Sequence, residues 1–334
     1  MKKKILYGIL ILLASLAMVG CGKSNEVKEA STENDTDFPN KSIKVIVPWS
    51  AGGGSDLTVR TLMPYVEKEL GVSTTVVNTT GANGWIAWTE LANSDPDGYT
   101  IAQLNIPAFY PGYLDPQYKR DLNLDNFLPL VNEVSDWGCM VVKHGDERFK
   151  SAKDLIEYAK NNEILAGDNG VGTNKHLLTV MLNDSFDGLK ITPVHQKGWS
   201  DTYAAILGGH IDVGWGSIGD SLQAVKDGEL DLLCVFAPER SELIKDVPTF
   251  NELNLGAEIL SPSDRGFVLP AGVNEKVYNK LLDAFNKAIN NQEFIEKMNE
   301  LGLDVKYIGG EEYQKYVKDQ EQELIKYKDV MGWK

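Results

Sequence analysis

Ile43-Lys44-Val45-Ile46-Val47-Pro48-Trp49-Ser50-Ala51-Gly52-Gly53-Gly54-Ser55-Asp56 decides how the rest of the chain is read. Its first five residues, mostly β-branched, make a strand. Pro48 ends it, because proline has no N–H to give to a ladder. Three consecutive glycines follow, and they permit positive φ and close backbone approach. Apolar residues then recur at helical spacing over 57–70, with Ser55 or Asp56 as the expected N-cap.

Working outward, Thr74-Thr-Val-Val77 and Tyr99-Thr-Ile-Ala-Gln-Leu104 read as further strands. Residues 84–92 read as a helix, and Pro96-Asp97-Gly98 as a turn. Strand, loop, helix, repeated, predicts a parallel sheet with helices on both faces. The plan recurs further along. Helices are expected over 152–160, 173–182, 201–207 and 220–226, and strands over 164–166, 191–194, 211–215 and 230–236. Residues 274–328 read as helices with solvated Lys/Glu faces. Two α/β units of similar plan, with their glycine loops at strand ends, would make a cleft between two lobes.

The N-terminus is an address. Lys2, Lys3 and Lys4 precede an apolar run over 5–18, and Val19-Gly20 leads into Cys21. This is an export signal over 1–20, too short to span a bilayer. A cysteine at the cleavage point resembles the bacterial lipobox, with Met18 where leucine is usual. Cys21 is therefore the expected lipidation site. Acyl chains there would hold the protein to the outer face of the cytoplasmic membrane. Residues 21–40 are polar and read as a flexible tether, with the folded part beginning near Lys41. Without the signal, 30 basic residues face 48 acidic ones, a formal charge of −18. That balance excludes nucleic acid as a partner and argues against a basic membrane-binding face. Cys139 and Cys234 stand in apolar stretches and are expected to pack as small hydrophobes.

The glycine loops point to chemistry. Successive N–H groups in such a loop form a nest for an anion, and a helix N-terminus behind it adds positive potential. This applies to residues 50–56, to Gly81-Ala82-Asn83-Gly84 and to Gly170-Val171-Gly172-Thr173. Neither a P-loop nor GxGxxG is present, since Gly54 is followed by Ser55-Asp56 and the second-unit loop reads Asn169-Gly-Val-Gly-Thr-Asn174. No GxSxG, HExxH or SxxK set occurs, and the four histidines lack metal spacing, so no catalytic residue, cofactor or metal is expected. A carboxylate gains about 1.5–3 kcal/mol from each charge-assisted hydrogen bond. Three or four such bonds, helped by helix dipoles, approach the roughly 8 kcal/mol of micromolar binding. Lys175 and Lys197 are basic candidates, and His176 either lines the cleft or caps its helix. Trp85, Trp88 and Trp215 either fill cores or narrow the pocket.

Five motifs, in order, resemble the substrate-binding receptors of tripartite tricarboxylate transporters, the Bug or TctC family. They are Ile46 to Asp56, Pro96-Asp97-Gly98-Tyr99-Thr100, Gly170-Val171-Gly172-Thr173 with His176, Leu207-Gly208-Gly209-His210-Ile211-Asp212, and Asp246-Val247-Pro248-Thr249-Phe250-Asn251-Glu252. The resemblance implies a two-lobed periplasmic-binding-protein fold of type II, a Venus flytrap with a central cleft and hinge. Lobe 1 is expected over 41–138 and 237–334, and lobe 2 over 139–236. It implies a monomeric receptor that carries a mono-, di- or tricarboxylate to a two-component membrane permease. It assigns ligand contacts to Ser50, Ala51, Gly53, Ser55, Asp56, Asn83, Gly84, Gly172 and Thr173. Trp49, Gly54, Asn105, Gly170, His176, Lys197, Gly198 and Trp215 complete the candidate set. Trp49 stands where the family usually has Phe or Tyr. The family's Val-Pro-Tyr-x-Gly loop reads Val194-His195-Gln196-Lys197-Gly198 here. Two rival readings are a sensor that signals to a membrane kinase and an extracytoplasmic hydrolase.

Overall fold

A computed structural model describes residues 38–49, 51–196 and 198–333. The export signal, Cys21, most of the tether, Ser50 and Lys197 lie outside the described residues.

Six strands form the first sheet, in the order β11-β4-β10-β3-β1-β2. They are β1 (Ile43–Val47), β2 (Thr74–Asn78), β3 (Thr100–Ile106), β4 (Phe127–Ser135), β10 (Asp264–Pro270) and β11 (Val305–Gly309). The second sheet runs β7-β6-β8-β5-β9. Its strands are β5 (Gly138–Lys143), β6 (Ile164–Asp168), β7 (Ile191–His195), β8 (Val213–Ser217) and β9 (Leu230–Val235). The helices are α1 (Gly54–Leu70), α2 (Trp85–Ala92), the single turn α3 (Pro111–Leu114), α4 (Ala152–Ala159), α5 (Asn174–Ser185), α6 (Trp199–Leu207), α7 (Ile218–Lys226), α8 (Glu275–Ile289), α9 (Gln292–Glu300) and α10 (Gly310–Ile325).

The first unit behaves as its residues dictate. β1 is buried at four of five positions and pairs in parallel with β2 and β3, because helical crossovers return the chain in the same direction. α1 buries Val59, Leu62, Met63, Val66 and Leu70, one stripe at helical spacing. Gly71 closes it with φ 74, the left-handed conformation that favours glycine. The apolar stripe of α8 covers the same core, which Phe38, Phe267 and Phe285 fill. Phe38 packs edge-on against Tyr99 at 4.9 Å, so packed structure begins ahead of Lys41.

The sheets are mixed rather than parallel, which corrects the sequence-based expectation. β10 runs antiparallel to both β3 and β4, and β5 antiparallel to both β8 and β9. Each is the strand by which the chain arrives from the other sheet, and it enters from the opposite end. The two sheets therefore share one plan: second strand, first strand, third strand, arriving strand, fourth strand. The first crossing is short, from Ser135 to Gly138. The second is long. Phe250 and Ile259 still pack in the second core, so the chain re-enters the first sheet only at β10, later than the position 237 expected. Cys139 and Cys234 are buried and unbridged.

Candidate functional site

Five helices follow parallel strands directly: α1 after β1, α2 after β2, α5 after β6, α6 after β7 and α7 after β8. All begin at the carboxyl ends of strands, where the twist of an α/β sheet opens a crevice. Their first turns fall into two classes. α5 is capped by the Thr173 hydroxyl, which accepts the His176 N–H at 3.2 Å. α7 is capped by the Ser217 hydroxyl, which accepts the Asp220 N–H at 3.3 Å. The N-caps of α1, α2 and α6 are Gly53, Gly84 and Gly198, and no side chain caps them. First-turn N–H groups have no partner inside their helix. At α1 and α6 they stay open to an anion and are backed by the helix dipole, whereas ahead of α2 the Gly84 and Trp85 N–H groups already donate to the Gly81 and Ala82 carbonyls.

The loop before α1 is held by a side-chain relay. The Trp49 indole donates to Asn105 Oδ1 at 2.8 Å, and Asn105 Nδ2 donates to Ser55 Oγ at 3.0 Å. The ends of β1 and β3 and the first turn of α1 are thereby tied together. Ala51, Gly53 and Gly54 remain exposed. The second loop lies alongside. A Cβ on Gly84 would come 3.2 Å from Pro48 Cβ and 2.7 Å from the Trp88 ring, and φ is +89. Only glycine fits there. Asn83 is exposed beside it.

Asp56 belongs to the frame rather than to the surface. It is 2% exposed. Its carboxylate accepts the Gly52 N–H at 2.8 Å, Arg60 Nε at 2.9 Å and Asn78 Nδ2 at 2.9 Å. Burial alone would raise its pKa, yet Arg60, the Gly52 amide and Asn78 together hold it below the usual carboxylate range. A depressed pKa means stability present above about pH 4 and lost as pH falls below it. Asp56→Ala is expected to cost about 2 kcal/mol at pH 7, discounted because Arg60 is half exposed. Urea unfolding at pH 7 and pH 3 checks this: the difference between wild type and variant must shrink at pH 3.

In the second unit the expected nest is filled from within. The Gly170 N–H donates to Asp168 Oδ1 at 2.7 Å, and the Gly172 N–H to His176 Nδ1 at 3.3 Å. Both glycines have positive φ, 110 and 82. His176 therefore acts as a neutral acceptor. Burial lowers its pKa, Asp168 opposes the shift, and His195 adds to it. The His195 and His176 rings stand 5.1 Å apart, with His195 Nδ1 2.7 Å from Asp168 Oδ1. Gly172 also reaches the first unit: its Cβ would lie 3.5 Å from Pro111, on the turn that follows β3.

Trp215 does not line the crevice. It is fully buried in the second core, with its indole N–H on Thr179 Oγ1 at 2.7 Å and its ring beside Phe236. Trp85 and Trp88 fill the first unit's core against Phe109, and donate to the carbonyls of Phe109 and Gln103. Ring area and a donor that finds a buried carbonyl favour the interior.

A charged chain links the sheets, and only Lys175 in it was a sequence candidate. Arg265 on β10 donates through Nη2 to Asp136 Oδ2 at 3.3 Å. Asp136, in the first crossing, accepts the Gly219 N–H of α7 at 3.1 Å. Asp220 on α7 pairs with buried Lys175 on α5. Lys175 Nζ sits 5.6 Å over the Trp199 ring at the start of α6. Burial raises the Asp136 pKa, whereas Lys175 keeps Asp220 low despite burial. The signal for Arg265 was an Asp264-Arg265 pair opening an apolar run, which reads equally well as a strand leaving the surface. Among the described residues no three His, Cys, Asp or Glu side chains converge as metal ligands.

Comparison with known proteins accords with this geometry. The model of the tripartite tricarboxylate transporter family receptor matches residues 58–330. A UPF0065 protein of Cupriavidus necator is 30% identical over 287 residues, covering 84% of each chain. A TctC solute-binding protein from Polaromonas, solved without ligand, superposes with a TM-score of 0.75 at 24% identity, covering 85% of this chain and 96% of its own. MatC from Rhodopseudomonas palustris, solved with bound malate, superposes with a TM-score of 0.68 at 22% identity, covering 88% of this chain and all of its own. At those identities the two structures speak for the fold.

Proposed function

The chain belongs to the tripartite tricarboxylate transporter receptor family, and on that premise we propose that it is an extracytoplasmic receptor that captures a small organic carboxylate and delivers it to a two-component permease. The observation that carries the reading is the pair of uncapped first turns at Gly53 and Gly198, with the Gly84 turn packed beside the first of them. Backbone N–H groups at helix ends suit a carboxylate and offer nothing to a cation. The exposed stretch from Ala51 to Gly54, with half-buried Ser55 and buried Asn105 behind it and exposed Asn83 beside it, forms the first-unit side. Gly198 and Thr173 supply the second, and Ser50 and Lys197 are included by proximity in the chain. Asp56, Gly170, Gly172 and His176 act here as positioning residues. Malate held by MatC supports a dicarboxylate as one ligand class.

Anchoring through Cys21 completes the proposal. It motivates a place at the outer face of the cytoplasmic membrane, and among the described residues no helix is long and apolar enough to cross one. The family consists of receptors rather than enzymes. Closure by rigid-body motion about residues 136–137 and the stretch before β10 would bring the loops together.

Calorimetric titration with benzoate, malate, adipate and citrate tests the reading. Binding of at least one, with sugars and amines inert, is expected. Gly53→Val should abolish that binding while the protein still folds, because φ −78 at residue 53 accepts any side chain whereas a bulky one blocks approach to the first turn. Sugars or amines binding in place of every carboxylate would overturn the reading.

A further inference from the structure

We propose that Arg265 is the charge-recognition residue of this site, and that its unoccupied guanidinium arm receives a ligand carboxylate seated against the first turn of α1. The proposal rests on the receptor reading above. Arg265 stands on the arriving strand of the first sheet, between β3 and β4. Its guanidinium lies against Gly54: a Cβ there would be 3.4 Å from Nη2 and 3.8 Å from Nη1. It therefore shares a wall with the uncapped turn.

The two arms differ. Nη2 is held by Asp136 at 3.3 Å. Nη1 is closed off from solvent and has no acceptor among the described residues. Buried donors are nearly always satisfied, and charged ones are the most costly to leave open. A carboxylate resolves this directly. One of its oxygens takes the α1 amides and the other takes Nη1 in a single charge-assisted hydrogen bond. Asp136 fixes the orientation of the fork in advance, so less rotamer freedom is lost on binding.

Of the acids nearby, Asp136 is engaged by Nη2, and burial weakens the charge of the others. Burial pushes the Glu133 carboxyl up to about 8 and the Asp264 carboxyl up to about 6, and it raises Asp136 as well. Asp264 accepts from the hydroxyls of Ser135 and Tyr316 at 2.7 and 2.6 Å. Asp220 is matched by Lys175. Near neutral pH burial keeps Glu133 protonated.

The consequence is discrimination between a carboxylate and its amide. Binding by backbone N–H alone tolerates a carboxamide oxygen as an acceptor, whereas a guanidinium arm demands the anion. The experiment titrates wild type, Arg265→Gln and Arg265→Lys with benzoate, malate, adipate and citrate, and with the fully amidated form of whichever binds. For Arg265→Gln, a loss of 30-fold or more for the carboxylate and under threefold for the amide is expected. Arg265→Lys should show an intermediate loss, and it serves as the readout if the glutamine variant shows no cooperative melt. Equal losses for acid and amide, or no loss beyond threefold, would overturn the inference and leave the receptor reading standing. A wild type that binds none of the four acids overturns both.

Discussion

Gly53→Asp is expected to remove carboxylate binding, by 100-fold or more, while the protein becomes no less stable. The two effects share one cause. Gly53 is the N-cap of α1 in extended conformation, φ −78 and ψ 167, and it provides no side chain for the first-turn amides. Aspartate is at home in that conformation, and its carboxylate would take the N–H groups left open for a ligand. Relative to glycine the cap contributes a few tenths of a kcal/mol, and its charge at the helix dipole about 0.3–1 kcal/mol more. The same negative charge then repels an incoming anion. Calorimetric titration beside thermal melting checks both signs. Weaker binding with a lowered melting temperature would mean a damaged fold, and retained affinity would exclude this turn as the seat. Gly53→Asn separates the parts: it caps without charge, so it should lose affinity by a smaller factor.

Glu133→Gln should stabilise the protein at alkaline pH and do little at acidic pH. Glu133 is fully buried on β4, and neither carboxyl oxygen has a partner among the described residues. Burial pushes its pKa up to about 8, against the pull of Arg265. In the unfolded chain the same group ionises near 4.3. Between these values the folded protein holds a proton that the unfolded chain has released, so stability falls as pH rises from about 4 to about 8. Each pKa unit corresponds to about 1.4 kcal/mol, and the loss above pH 8 reaches several kcal/mol. Glutamine keeps the shape and cannot ionise. Urea midpoints should nearly coincide at pH 5 and separate at pH 9, with the variant higher. Coincidence at both would mean that ionised Glu133 finds a partner.

The readings that succeeded were local ones. The strand at Ile43–Val47, the helix that follows and the fall of glycine loops at strand ends depend on neighbours in the chain. Residue type and spacing suffice for these. The strands β4, β5, β10 and β11 escaped notice for a related reason. β4 reads Phe-Leu-Pro-Leu-Val-Asn-Glu-Val-Ser, where Pro129, Asn132 and Glu133 interrupt the apolar pattern. β10 opens on Asp264-Arg265 and closes on Pro270. Polar residues within a strand make sense only once their partners arrive from elsewhere, as Ser135 and Tyr316 do for Asp264.

The candidate site divides along the same line. Glycine at 53, 84 and 198 is visible in the sequence, and so is the resemblance to carboxylate receptors. Asp56 and Trp215 look equally suitable as ligand contacts until burial shows one clamped by Gly52, Arg60 and Asn78 and the other seated beside Phe236. Gly170 and Gly172 look like open donors until Asp168 and His176 are found accepting from them. Which amides remain free is a matter of who else is near, and no window along the chain contains that. By itself the sequence determined the strand–loop–helix units built on β1, β2, β6, β7 and β8, and the strands β3 and β9, because backbone preference and apolar period act over a few residues. Only the tertiary structure decided that Arg265 would lie against Gly54 with one arm empty, because long-range packing brings together groups that chain distance keeps apart.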